Sequence, residues 1–177
     1  KNSTEAINLF LNGYLQPGDH VLISPFEHNA VLRPLHYLSL HNGVKYDVLS
    51  ETALHDIDEF KKALLSNTKL VCITLASNLT GEIIYNRALG QACAQCHIPV
   101  FVDASQGGGK MLVKMQDDYI DYLAFTGHKD LLGLPGVGGL CSNVPLRIRP
   151  LIQGGTGIHG EEFINPDIYP EAYESGT

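Results

Sequence analysis

A chain of 177 residues, 44% of them hydrophobic and with a mean hydropathy near zero, has apolar surface for one sizeable core, so one domain is the expectation. Twelve Lys and Arg against nineteen Asp and Glu, a net charge of −7, exclude a nucleic-acid surface, which needs clustered positive charge to displace phosphate counterions. The longest apolar runs are strand-sized and the amino terminus has no basic segment followed by an apolar one, so no membrane partner is expected and the reading is a soluble, cytoplasmic protein.

Ser3 or Thr4 suits a helix N-cap, and Ala6, Ile7, Phe10, Leu11 and Leu15 follow at helical spacing until Gln16-Pro17-Gly18-Asp19 ends the run. Residues 21–24 form a short buried strand that Pro25 breaks. Glu27-His28-Asn29 leads into a helix through Leu32, Leu35 and Leu38, which Asn42-Gly43 closes. A strand over residues 44–49 is followed by helical spacing from Ile57 through Phe60 to Leu65. The β-branched run 70–75 reads as a central strand. After the turn Ser77-Asn78-Leu79-Thr80-Gly81, a helix over 86–96 precedes a buried strand over 99–103, and residues 122–125 form another. Strands alternating with helices predict an α/β fold: a mostly parallel sheet with helices on both faces, in three layers. From Gln153 onward Gly, Thr, Pro and acidic residues replace the periodic pattern, which predicts a long functional loop. Both ends look cut, as expected for a piece of a longer protein.

Cys72 and Cys141 lie in strand-like runs and Cys93 and Cys96 in a helical one, as in a reducing compartment. The Cys93-Ala94-Gln95-Cys96 pair has only His97 alongside, too few ligands for zinc, and no metal site is expected.

The chemistry gathers at strand ends. The Thr126-Gly127 break places His128 and Lys129 just beyond the carboxyl end of a buried strand, where open α/β sheets bind ligands. A lysine there can be held as a neutral amine and form a Schiff base with an aldehyde cofactor, although most lysines after a strand are solvated. Asp103 ends its own apolar strand, and a carboxylate there needs a cationic or hydrogen-bonding partner. A protonated pyridine nitrogen is one such partner, and pyridoxal phosphate brings it together with an aldehyde; capping of the next turn is the plainer alternative. Ser3 and Thr4 at a helix amino end, with Thr126 and His128, are candidates for a phosphate. His28 can lie against a flat ring or merely cap its helix, and Asn78 and Gln106 can reach a ring hydroxyl. A dinucleotide site fits poorly, because Gly107-Gly108-Gly109 and Gly136-Val137-Gly138-Gly139 lack the G-x-G-x-x-G spacing.

The order Ser3-Thr4-Glu5-Ala6-Ile7-Asn8-Leu9, Glu27-His28-Asn29-Ala30, Ser77-Asn78-Leu79-Thr80-Gly81, Asp103-Ala104-Ser105-Gln106 and Thr126-Gly127-His128-Lys129 resembles the class V aminotransferase family. Within it, the chain is similar to the cysteine desulfurase and selenocysteine lyase branch. The resemblance implies the large domain of the pyridoxal-phosphate transferase fold type I over residues 1–152, with its amino-terminal part missing. It also implies that residues 153–177 hold an inter-subunit glycine-rich loop and the start of a connection to an absent small domain. It assigns Lys129 the Schiff base, Asp103 the pyridine nitrogen and His28 the ring face, with Lys129, His28 and Asp103 as the catalytic set. Gln106 and Asn78 would meet the ring hydroxyl, and Thr4, Thr126 and His128 the phosphate. Gln153-Gly154-Gly155-Thr156-Gly157 is similar to a loop that enters a neighbouring subunit's phosphate site, making Thr156 a contact across a homodimer.

The implied activity is cleavage of the carbon–sulfur bond of L-cysteine, or a similar amino acid, to alanine and a persulfide, with a sulfur-acceptor protein as a further partner. Selenocysteine lyase and small-amino-acid aminotransferase are the neighbouring alternatives. A domain that binds cofactor or a partner without catalysis is the alternative of another class. The family's mobile-loop cysteine and substrate-binding arginine have no counterpart here, and the ending Tyr173-Glu174-Ser175-Gly176-Thr177 is similar to the turn towards the small domain.

Overall fold

The computed structural model of the protein describes residues 1–158 and 160–173. Helix α1, Ser3–Tyr14, begins at Asn2, whose side chain accepts from the Glu5 amide at 2.9 Å. Asn2, and not the expected Ser3 or Thr4, is therefore the cap. Its extended backbone lets the short amide reach back to the third helical residue, while Ser3 and Thr4 are already helical. After β1, His20–Ile23, comes α2, Asn29–Asn42, capped by His28 and closed by Gly43 in the left-handed conformation (φ +69°). Pro34 sits inside α2 without ending it, because it joins Ala30, Val31, Leu35 and Leu38 on the buried face.

The remaining elements are β2, Lys45–Val48; α3, Ile57–Ala63; β3, Thr68–Thr74; α4, Arg87–Gln95; β4, Val100–Asp103; β5, Tyr122–Thr126; and β6, Gly138–Ser142. Asn86 caps α4 by accepting from the amides of Ala88 and Leu89. The sheet runs β2-β1-β3-β4-β5-β6. Its first five strands are parallel, and β6 returns antiparallel to β5. The reversal needs no crossover helix: Gly127 donates to the Val137 carbonyl at 2.8 Å, which extends the β5–β6 ladder into the glycine-rich connection.

Alternation along the strands divides the interior in two. Val21, Ile23, Leu70, Cys72 and Phe101 pack with α1 and α2 on one face. Leu22, Val71, Ile73, Val100 and Val102 pack with Phe60 of α3 and Leu89 of α4 on the other. Helices thus cover both faces, as the alternating pattern predicts. Among the described residues no helix is long and apolar enough to cross a membrane.

From residue 143 to 170 the described chain holds neither helix nor strand, in keeping with the expected loop. Asn165 ties it together, accepting from Gly154 N at 2.7 Å and donating to the carbonyls of Ile152 and Ala172. Of the ending that resembles the turn to a small domain, residues 174–177 lie outside the described residues.

Phe10 is the centre of the α1 face. It is fully buried, and its ring stands 4.9, 4.7 and 4.4 Å from those of Tyr14, Phe101 and Tyr122. Phe10→Ala removes three ring contacts and leaves a cavity between α1 and the sheet. The expected loss is about 3–5 kcal/mol in urea unfolding, with the slope against denaturant unchanged.

Candidate cofactor site

Four adjacent parallel strands end on one edge. Register pairs Thr74 with Asp103 and Asp103 with Ala124, so β3, β4 and β5 terminate within a few residues of one another. The edge therefore presents Glu27 and His28 after β1, Ser77 and Asn78 after β3, Asp103 as the last residue of β4, and Thr126, His128 and Lys129 at and after the end of β5. The amino end of α1 reaches the same edge by a close backbone approach. Gly138 pairs with Thr126, and a Cβ on Gly138 would stand 2.5 Å from Asn2 Cα. Thr4 and His28 line a common cavity of about 640 Å³ between α1 and α2, with Asn8, Asn29, Arg33 and Leu151. That cavity does not include Asp103 or Lys129.

Asp103 is buried, and both hydrogen bonds to its side chain fall on Oδ1, from Ser105 N at 2.9 Å and Ser105 Oγ at 2.5 Å. The plainer alternative, a cap on the next turn, is thus realised, but it occupies one oxygen. Among the described residues Asp103 enters no ion pair. A buried carboxylate with one oxygen partnered only by neutral donors is suited to receive a cationic ring nitrogen.

Lys129 is half-buried and forms no ion pair among the described residues. Its neighbour Asp130 is taken by Lys110 at 2.9 Å, and that hydrogen bond holds the Asp130 carboxyl below its usual range. The same ion pair clamps the loop after β4 to the loop after β5. Gly109, at φ +99°, makes the clamp close, since a Cβ there would stand 2.7 Å from the Asp130 carbonyl oxygen.

The other predicted residues fall into two groups. Thr126 Oγ1 and His128 Nδ1 lie 3.1 Å apart beside Lys129, a pair able to face a phosphate. His28 accepts from Ala30 N at 3.1 Å through Nδ1, so its neutral ring carries the proton on Nε2 and its exposed face is held at the helix start. Asn78 is exposed and Gln106 half-buried at the same edge. Thr156 stands apart: its hydroxyl donates to the Ile158 carbonyl within its own loop, and the cavity it lines is built from residues 153–165.

The sequence reading missed three features: Ser105 as the holder of Asp103, the Lys110–Asp130 clamp, and the burial of Glu27. Ser105 was legible as a serine two residues after an aspartate, the spacing of a side-chain turn. The clamp joins residues twenty positions apart and left no local signal.

The whole chain, residues 1–177, matches the family model described as aminotransferase class-V. The chain belongs to that family. Cysteine desulfurase IscS of Actinobacillus succinogenes is 36% identical over 161 residues, covering 86% of this chain and 39% of the relative. A probable cysteine desulfurase of Pyrococcus abyssi is 33% identical, covering all of this chain and 46% of its own length. Among solved structures, the cysteine desulfurase CsdA from Escherichia coli superposes with a TM-score of 0.87 at 28% identity, over 99% of this chain and 46% of that one. The fold is therefore that of these desulfurases, the pyridoxal-phosphate transferase fold type I. The chain spans less than half the length of the relatives it matches.

Gly109→Ala forces a side chain into a left-handed conformation and into the Asp130 carbonyl. The expected cost is about 1–3 kcal/mol in urea unfolding.

Proposed function

We propose that this chain is the cofactor-binding part of a cytoplasmic, homodimeric pyridoxal-phosphate enzyme that cleaves the carbon–sulfur bond of L-cysteine. The observation that carries the reading is the presence, on one sheet edge, of a buried carboxylate, Asp103, and a half-buried lysine, Lys129, neither in an ion pair among the described residues. The family membership and the desulfurase relatives support the same reading.

Bound at this edge, pyridoxal phosphate supplies an electron-withdrawing ring that takes up charge from the substrate's α-carbon. Asp103 holds the proton on the ring nitrogen, and Ser105 fixes the Asp103 carboxylate for that role. His28 covers one ring face and keeps water from it. Lys129 Nζ would be the amine that holds the cofactor aldehyde, and once free it would be the base that moves the substrate's α-proton. Gln106 and Asn78 meet the ring hydroxyl, while Thr4, Thr126 and His128 receive the phosphate. Thr156, whose hydroxyl donates within its own loop, is the contribution expected to a neighbouring subunit across the dimer.

The chain's own thiols are ill placed to take the sulfur. Cys72 is buried and burial pushes its thiol well up; Cys93 is pushed up to about 12 by the same cause. Cys141 is half-buried within β6, also raised by burial. Cys96 is exposed, but it ends α4 and precedes β4, so it lies at the opposite edge of the sheet. The sulfur-accepting thiolate is therefore assigned to a segment outside these residues, with an acceptor protein beyond it.

Borohydride reduction after incubation with pyridoxal phosphate, followed by peptide mass mapping, is expected to place one adduct on Lys129, lost in Lys129→Ala. Adducts scattered over surface lysines would overturn the assignment. In the protein as the cell makes it, Lys129→Ala is expected to lower cysteine-dependent alanine formation by about 10²–10⁴-fold. Alanine formation at the unmodified rate would do the same damage to the reading.

A further inference from the structure

Among the described residues, Glu27 is the one buried acid at this edge without an assigned task. It is 7% exposed, less than its neighbours His28 and Asn29, which face solvent. Its Oε1 accepts from Ser24 Oγ at 2.5 Å and from Thr74 N at 2.6 Å, while Oε2 is buried with no hydrogen-bond partner. No cation pairs with it among the described residues. Ser24 directly follows β1 and Thr74 ends β3, so a single carboxyl oxygen spans the two strand ends. Thr74 in turn pairs with Asp103 and donates its hydroxyl to the carbonyls of Ala76 and, at 3.4 Å, Asp103. Glu27 is thus one residue away from Asp103 on one side and adjacent to His28 on the other.

We propose that Glu27 is a positioning residue: its buried carboxyl joins the carboxyl ends of β1 and β3, and so sets His28 relative to Asp103. The arrangement rests on the cofactor reading above for its purpose, since His28 and Asp103 are there the ring-face and ring-nitrogen groups.

The uncharged state follows from the surroundings. An ionised Glu27 would leave a buried, unpartnered oxygen in an apolar setting beside a second carboxylate. The titratable groups that face it are Asp103 from β4 and Cys72 from β3; neither can neutralise an anion. Burial first, and then the charge of Asp103, push the Glu27 carboxyl from an ordinary value of 4.5 up to about 8, against the opposing hydrogen bonds from Ser24 and Thr74. The sign for stability is fixed by that direction. Unfolded chains ionise Glu27 above 4.5 and the folded chain only near 8, so its contribution is complete below 4.5 and is lost progressively as pH rises to about 8. Over the same interval the acid would be present in its working form.

The test compares Glu27→Gln, which keeps an oxygen acceptor and the shape without the charge, with Glu27→Ala, in the protein as the cell makes it. Carbon NMR of side-chain-labelled glutamate is expected to show one carboxyl titrating near 8, absent from Glu27→Gln. Labelled-histidine spectra are expected to keep the His28 ring signal in place in Glu27→Gln and to move it in Glu27→Ala. Affinity for pyridoxal phosphate is expected to stay within about threefold in Glu27→Gln and to fall about tenfold in Glu27→Ala. Every glutamate titrating in the ordinary range, or Glu27→Gln behaving like Glu27→Ala, would overturn the proposal, as would an unmoved His28 signal in Glu27→Ala. The two NMR readouts need no cofactor, so absence of pyridoxal-phosphate binding by the unmodified protein would sink the cofactor reading and leave the clamp separately decided.

Discussion

Parallel pairing is the constraint on which the candidate site depends. Because β1, β3, β4 and β5 run the same way and lie side by side, each must release its chain at the same edge. Groups far apart in sequence, from His28 to Lys129, are thereby released at that one edge. Apolar burial on both faces supplies the driving force for that alignment, at about 25 cal/mol per Å² removed from water. The polar residues exploit the result and do not create it.

Alignment alone leaves the groups loosely related, and short-range polar contacts correct this. Ser105 turns the Asp103 carboxylate, Lys110 draws Asp130 away from its neighbour Lys129, and Gly138 admits the start of α1 against the sheet. The first joins a strand end to the segment after it, the second joins two neighbouring loops, and the third joins the start of β6 to the start of α1. The site is accordingly a set of reinforced chain reversals on a rigid sheet, the usual way in which such scaffolds hold functional side chains.

Much of the fold was legible because the local signals agreed. Apolar runs of strand length, helical spacing and caps such as Asn86 and Gly43 coincide with the observed elements to within one or two residues. The first helix differed only in its cap: Asn2 and Ser3 both carry suitable side chains, and backbone conformation, which is not written in residue type, decided between them. The antiparallel course of β6 was not read, because Gly138 to Ser142 has an ordinary strand pattern and direction depends on the connection before it. In the site, strand-end residues such as Asp103 and Lys129 stood out by position. Glu27 did not, since a glutamate before a helix is ordinarily a solvated residue and its burial arises only when β1 and β3 close over it.

The placing of the cysteines has a meaning for chemical self-protection. On the proposed activity, the sulfane sulfur handled beside this domain would attack any available thiolate, the domain's own included. Here Cys72 and Cys93 are buried and kept protonated, Cys141 is half-buried within β6, and Cys96 precedes β4, at the strand ends opposite the candidate site. Burial and protonation would leave such a donor few thiolates of this domain to attack.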